Sequence, residues 1–236
     1  MKKHLKRLAS PRSWTIPRKK HKWVARPRPG PHGMEESIPM QIILRDTLHY
    51  CDSAREARML LSSRGIRVDG KPVRDLKRGV GLMDVLSFEQ KKEHFRMLID
   101  TKGRLQLVGI DAKQAKWKLS RIEGKTTVRG GRIQLNLSDG RNILIDKNAY
   151  RTGDVLKISV PDQKIMDHYE LTKGNVALLV GGKHVGELVK LKEYEKSRNP
   201  RENEVTFEEG FTTSFGNVYV VGKKSPEIKI PETKVV

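Results

Sequence analysis

Apolar positions first fall into helical spacing at residues 39–63. Met40, Ile43, Leu44, Leu48 and Cys51 recur at intervals of three and four, which lays one apolar stripe along a helix face. Ser53-Ala54-Arg55-Glu56 then reads as a capping box, in which the serine oxygen accepts an orphan amide and the glutamate reaches back. A second helix is predicted from there. Ala54, Ala57, Leu60 and Leu61 face inward, Arg55 and Arg58 share the outer side, and Gly65 is the stop. The period next changes to two. Ile66-Arg67-Val68 reads as a strand, Asp69-Gly70 as a tight turn, and Val73 as part of the return strand. Residues 79–85 close this unit.

Strand signals dominate from residue 94 onward. Leu105-Gln106-Leu107-Val108 is one strand. Ile133 to Leu137 and Asn142 to Ile145, joined by Ser138-Asp139-Gly140-Arg141, form the clearest hairpin. Gly153-Asp154 precedes a strand over 155–160. Residues 112–119 fit either one short helix or a helix running into a strand. Residues 173–192 pair two strands around Gly181-Gly182-Lys183, and Val205-Thr206-Phe207 and residues 217–221 complete the β material. Short strands with glycine turns at this spacing predict small barrels.

Charge changes this picture most at the front. The first 34 residues hold eleven Lys and Arg, five Pro, three His, two Trp and no acid. The basic residues are Lys2, Lys3, Lys6, Arg7, Arg12, Arg18, Lys19, Lys20, Lys22, Arg26 and Arg28. Alone, such a segment buries too little apolar surface to offset its ordering entropy, so it is expected to be disordered until it meets a polyanion. The whole chain carries +20, with pI near 10.1. The body beyond the tail has 37 basic residues against 28 acidic ones, so more than half of the excess sits in the tail. Nucleic acid is the expected partner. Residues 200–236, with five basic and six acidic residues, do not repeat this charge.

Other classes find little support. One cysteine, Cys51, allows no disulfide framework and no cysteine-based zinc site. No secretory signal follows the basic start, and the longest apolar run, residues 176–180, is far short of a membrane span, so no membrane partner is expected. The seven histidines lack metal-ligand spacing. Gly181-Gly182-Lys183-His184 fails as a phosphate loop, because Ala177 and His184 stand where Gly and Ser or Thr are required. No nucleophile-elbow context occurs. No cofactor, metal, small-molecule substrate or catalysis is expected.

Residues 41–86 resemble the S-four RNA-binding domain, through Arg45-Asp46, Ser53-x-Arg55-Glu56-Ala57-Arg58, and residues 65–73 around Asp69-Gly70. The resemblance implies two helices and a hairpin presenting Arg45, Arg55, Arg58, Arg67 and Lys71 to structured RNA, where arginines read backbone geometry by charge-assisted contacts. Residues 173–191 resemble a KOW motif, a hairpin ending an SH3-like barrel, with Gly186 as its central glycine and Lys183 as a tip contact. Glu187 beside that glycine argues against direct RNA contact there. The order of these pieces resembles the archaeal/eukaryotic-type small-subunit ribosomal protein family four, S-four-e. Residues carrying it include His4-Leu5-Lys6-Arg7-Leu8, residues 81–85, His94-Phe95-Arg96, and Phe215-Gly216-Asn217 running on to Lys223. The chain ends soon after Pro231, as expected of an archaeal-like form without the longer basic extension.

The resulting expectation is α+β. It comprises a basic extended N-terminal tail (1–38), an αα-β RNA-binding unit (39–90), a central β domain (91–172), a C-terminal SH3-like (KOW) β-barrel (173–222) and a tail (223–236). The implied function is structural: a cytoplasmic constituent of the small ribosomal subunit, bound to its ribosomal RNA and to neighbouring ribosomal proteins. Trp14 and Trp23 either stack on RNA or pin the tail to the protein, and Trp117 is expected in the core. Removing residues 1–34 is expected to lower affinity and salt dependence while leaving the body folded. Two alternatives remain. A KOW-containing transcription elongation factor would explain residues 173–191 alone. A pseudouridine synthase with an S-four domain needs Arg-Leu-Asp, where this chain has Leu44-Arg45-Asp46.

Overall fold

The computed structural model describes residues 4–146, 148–195 and 202–230. Lys2 and Lys3 lie outside the described residues. The chain is mostly β with few helices, and divides into two compact units, residues 1–98 with 104–118 and residues 99–103 with 119–236. The helical share of the expected α+β arrangement is thus small, confined to residues 40–62 apart from short 3-10 turns among the described residues.

In the first unit, helix α1 begins as Met40–Ile42 and continues as a wider π turn over Ile43–Thr47. Leu48 N donates to Ile43 O at 2.9 Å, the five-residue span of a π turn. His49, at φ 52°, then ends it, so the helix stops short of the full apolar stripe. Cys51 is buried all the same. Helix α2, Ala54–Ser62, starts where the capping box requires. Ser53 Oγ accepts from Glu56 N at 3.2 Å, and Glu56 Oε2 accepts from Asp52 N at 3.0 Å. Ala57 and Leu61 are buried. The left-handed residue at its end is Arg64, at φ 58°, one position before the expected glycine.

A five-stranded antiparallel sheet follows, in the order Lys71–Pro72, Ile66–Val68, Val85–Phe88, Glu93–Ile99, Leu105–Gly109. Asp69 and Gly70 both have positive φ and make the tight turn between the first two. A lysine closes this unit from inside. Lys118 Nζ lies 2.8 Å from Asp69 Oδ2 and 2.8 Å from Asp84 Oδ1, and all three side chains are at most 4% exposed. The remaining oxygens are also used: Asp69 Oδ1 accepts from Val85 N, and Asp84 Oδ2 accepts from Gly81 N and faces His32 Nε2 at 3.1 Å. Gly81 leaves room for that imidazole, since a Cβ there would stand 2.2 Å from His32 Cγ.

The tail from His4 onward is folded into this unit. Leu5–Lys6 pairs with Trp23–Val24, and Ser37–Pro39 pairs with Gly79–Gly81. Trp14 and Val24 join the core that holds Ile42, Leu44, Leu61 and Val68. Arg7 is fully buried, with Nη2 3.4 Å from Asp46 Oδ1. A body without residues 1–34 would therefore lose part of its own interior, which corrects the expectation that it stays folded. Residues 112–119 resolve as a 3-10 turn, Gln114–Lys116, running into a strand, and Trp117 is buried under the Arg96 guanidinium at 4.1 Å.

The second unit holds two five-stranded sheets. One has the order Asn142–Ile145, Ile133–Leu137, Trp117–Thr127, Val155–Ser159, Ile165–Tyr169. The expected hairpin pairs Leu135 with Ile143 and buries Leu135 and Leu137. In the other, Val176–Leu179, Leu188–Glu195, Glu204–Phe207 and Thr212–Ser214 meander, and Val218–Gly222 returns to pair with the first of them. Gly186, at φ 81°, sits so close to the chain that a Cβ would be 2.5 Å from the Asp100 carbonyl carbon.

Candidate nucleic-acid interface

Arg55 and Arg58 project from the outer side of α2, exposed and without an ion pair among the described residues. The capping box fixes where they point, because it sets the helix start. Glu56 lies between them, but its carboxylate is committed to the Asp52 amide and the Ser53 hydroxyl, which lower its pKa in that order. It is therefore a poor partner for the arginines. Arg67 is the outward residue of its strand, held at 2.6 Å by Glu89. Register pairs Arg67 with Pro72 and Val68 with Lys71, so Arg67 and Lys71 leave opposite faces of the hairpin. Lys71 is exposed on the edge strand. Arg45 is partly buried and bonded to Asp46 at 2.8 Å.

The tail residues sort into two groups. Lys6, Arg12, Lys19, Lys20 and Lys22 are exposed. Arg7 and Arg18 turn inward: Arg18 donates to the carbonyls of Ser10 and Pro11, each at 2.7 Å, and holds a turn of the tail itself. Arg26 is half-buried, and Arg28 pairs with Asp75 at 2.9 Å in solvent. The two tail tryptophans separate in the same way. Trp14 is 2% exposed and its Nε1 donates to Ser37 O at 2.7 Å, so it pins the tail to the core. Trp23 is 51% exposed, with Lys22 Nζ 5.4 Å and the His4 ring 5.6 Å from its own ring.

Lys183, in the second unit, is exposed in the turn after Val176–Leu179. Its neighbour His184 stacks on Phe211 at 4.3 Å, and Glu187 accepts a 3.0 Å contact from that histidine. The acid beside the glycine thus has a local partner. Sequence reasoning missed three arginines of the first unit. Arg64 and Arg74 are exposed without ion pairs among the described residues, and Arg78 is partly buried. All lie outside the quoted motifs; only their basic character and their places at the helix end and after the hairpin signalled them. No group of His, Cys, Asp and Glu among the described residues could hold a metal, and no described helix is long and apolar enough to cross a membrane.

Models of known families match three stretches in order. They are the RS4NT domain over residues 1–35, the S4 domain over 41–86 and the ribosomal family S4e over 91–165. The small ribosomal subunit protein eS4 of Methanothermobacter thermautotrophicus is 44% identical over 99% of this chain and 98% of its own. The chain belongs to the ribosomal S4e family. The eS4 protein of Methanocaldococcus jannaschii is also 44% identical, over 97% of this chain and 98% of its own. The crystal structure of the 30S ribosomal protein S4e from Thermoplasma acidophilum superposes with a TM-score of 0.71. It is 34% identical and covers 80% of this chain and 96% of that one. In this S4e chain the tail lies within the first matched stretch, and the α2 arginines and the hairpin lie within the second.

Proposed function

We propose that this chain is a structural constituent of the small ribosomal subunit that binds small-subunit ribosomal RNA. Full-length similarity to eS4 proteins carries this reading. The exposed set Lys6, Arg12, Lys19, Lys20, Lys22, Arg28, Arg55, Arg58, Arg67 and Lys71 supplies its chemistry, with Lys183 from the second unit and Lys2 and Lys3 at the chain start. Arg7, Arg18 and Arg45 serve the fold in this reading, as their protein partners suggest. Trp23 is the stacking residue and Trp14 is not. The chain works by binding, without a catalytic step, in the cytoplasm, beside neighbouring ribosomal proteins. The divisions at 38, 90, 172 and 222 mark the functional segments. The sheet of residues 176–222 is read as an SH3-like barrel with a KOW hairpin, supported by its meander order, the returning strand and the close approach at Gly186.

Sucrose-gradient sedimentation of a cell lysate tests this. The chain is expected to travel with mature small subunits and to leave them at high salt, as counterion release requires. Association with RNA polymerase alone would overturn it in favour of the elongation-factor alternative.

A further inference from the structure

A cavity of about 350 Å³ opens in the first unit between the tail strap 27–31 and the loop 72–79. Arg28, Arg74, Arg78 and Asp75 line it, with Pro29 and Pro72 as walls. Three guanidiniums against one carboxylate leave an excess of two positive charges. The carboxylate is already engaged: Asp75 Oδ2 holds Arg28 at 2.9 Å, and Oδ1 accepts from Lys77 N at 3.0 Å. It neutralises neither of the other arginines. Arg74 is exposed and makes no ion pair among the described residues. Arg78 keeps a buried Nε that no acceptor among the described residues reaches. An oxyanion in the cavity would meet the lining guanidiniums in the charge-assisted geometry they favour.

The site is built before any ligand arrives. Prolines fix the strap, and Arg28 N donates to Lys77 O at 2.9 Å, tying strap to loop. No lining residue is aromatic, so nothing there would stack a base. Pro72 lines the cavity and follows Lys71 on the edge strand of the hairpin, so a polyanion held by Lys71 lies near it. We propose that this cavity is a phosphate pocket that takes one phosphodiester group of the small-subunit ribosomal RNA, with Arg74 and Arg78 as donors. The choice of RNA rests on the function proposed above.

Arginine side-chain NMR of the full-length chain, titrated with inorganic phosphate at constant ionic strength, tests the pocket without RNA. The Nε–Hε signals of Arg74 and Arg78 are expected to shift saturably, with affinity several-fold weaker in Arg74→Gln and unchanged in Arg104→Gln, an exposed arginine of the same unit away from the cavity lining. In ribosomal RNA binding, Arg74→Gln is expected to lower the log–log salt slope by roughly 0.7–0.9, one phosphate contact. An absence of saturable shifts overturns the pocket. Saturable shifts with an unchanged slope in Arg74→Gln overturn RNA as its ligand. A wild-type chain that binds no ribosomal RNA overturns the proposed function and that ligand together, while the phosphate titration still reports the pocket.

Discussion

Replacing Lys118 with methionine removes the ammonium that two buried carboxylates share. Methionine fills a similar volume, so the change acts mainly on charge. The Nζ lies 2.8 Å from both Asp69 and Asp84, and neither carboxylate can turn to water. Breaking a buried pair by removing one partner costs about 3–5 kcal/mol. The pH dependence is more diagnostic than the size. Burial alone would raise the Asp84 carboxyl, but Lys118 and then His32 hold it far below the usual carboxylate range. A depressed folded pKa contributes stability above the unfolded value of about 4, and that stability is lost as the pH falls below it. In Lys118→Met, burial prevails and the folded pKa moves above the unfolded one. The penalty is then largest near neutral pH and shrinks as the pH falls toward about 4. Urea unfolding followed by tryptophan fluorescence reads this directly, because Trp14, Trp23 and Trp117 all belong to the first unit. A loss below about 1 kcal/mol at neutral pH, or one equal at both pH values, would refute a closed, dry network.

Three further outcomes are expected. Arg64→Gly relieves a left-handed conformation worth about 1–2 kcal/mol and costs about 0.5–1 kcal/mol of unfolded-chain entropy, so thermal unfolding should shift upward by a net of about 0.5–1 kcal/mol. Trp14→Ala should cost about 3–5 kcal/mol in denaturant unfolding, whereas Trp23→Ala should stay within about 1 kcal/mol and weaken RNA binding instead. Arg55→Ala with Arg58→Ala should leave stability within about 0.5 kcal/mol per site and lower the RNA salt slope by roughly 0.7–0.9 per lost contact; filter binding across a salt series decides.

What was legible in the sequence was decided by neighbouring residues. Ser53 and Glu56 start α2, Asp69-Gly70 turns the first hairpin, and Asp139-Gly140 turns the 133–145 hairpin, each through contacts a few residues long. The tail was misread as unable to order alone because its partners lie elsewhere in the chain: Trp14 meets Ser37, and Arg7 meets Asp46. Counting its charges counted Arg7 and Arg18 as available, although both are engaged by protein. Lys118 escaped notice for the same reason. Trp117, Lys118, Leu119 and Ser120 are all buried, so no alternation marks that strand, and a lysine in sequence suggests the surface. In the candidate interface, helix spacing put Arg55 and Arg58 on one face and the S-four resemblance made them RNA contacts, while Arg74 and Arg78 needed the cavity to bring them together with Arg28.

Lys118 is also the last residue of its unit. During synthesis the tail, both helices and all five strands of that unit's five-stranded sheet emerge before it does. Until then Asp69 and Asp84 have no ammonium to share, so the nascent unit holds two carboxylates at positions destined for its interior. Completion of the first unit is therefore timed by a residue that comes after every basic group in the tail. Those groups emerge well before the core that positions Trp14 and Arg7 can close, so the tail is made long before the interior it belongs to is complete.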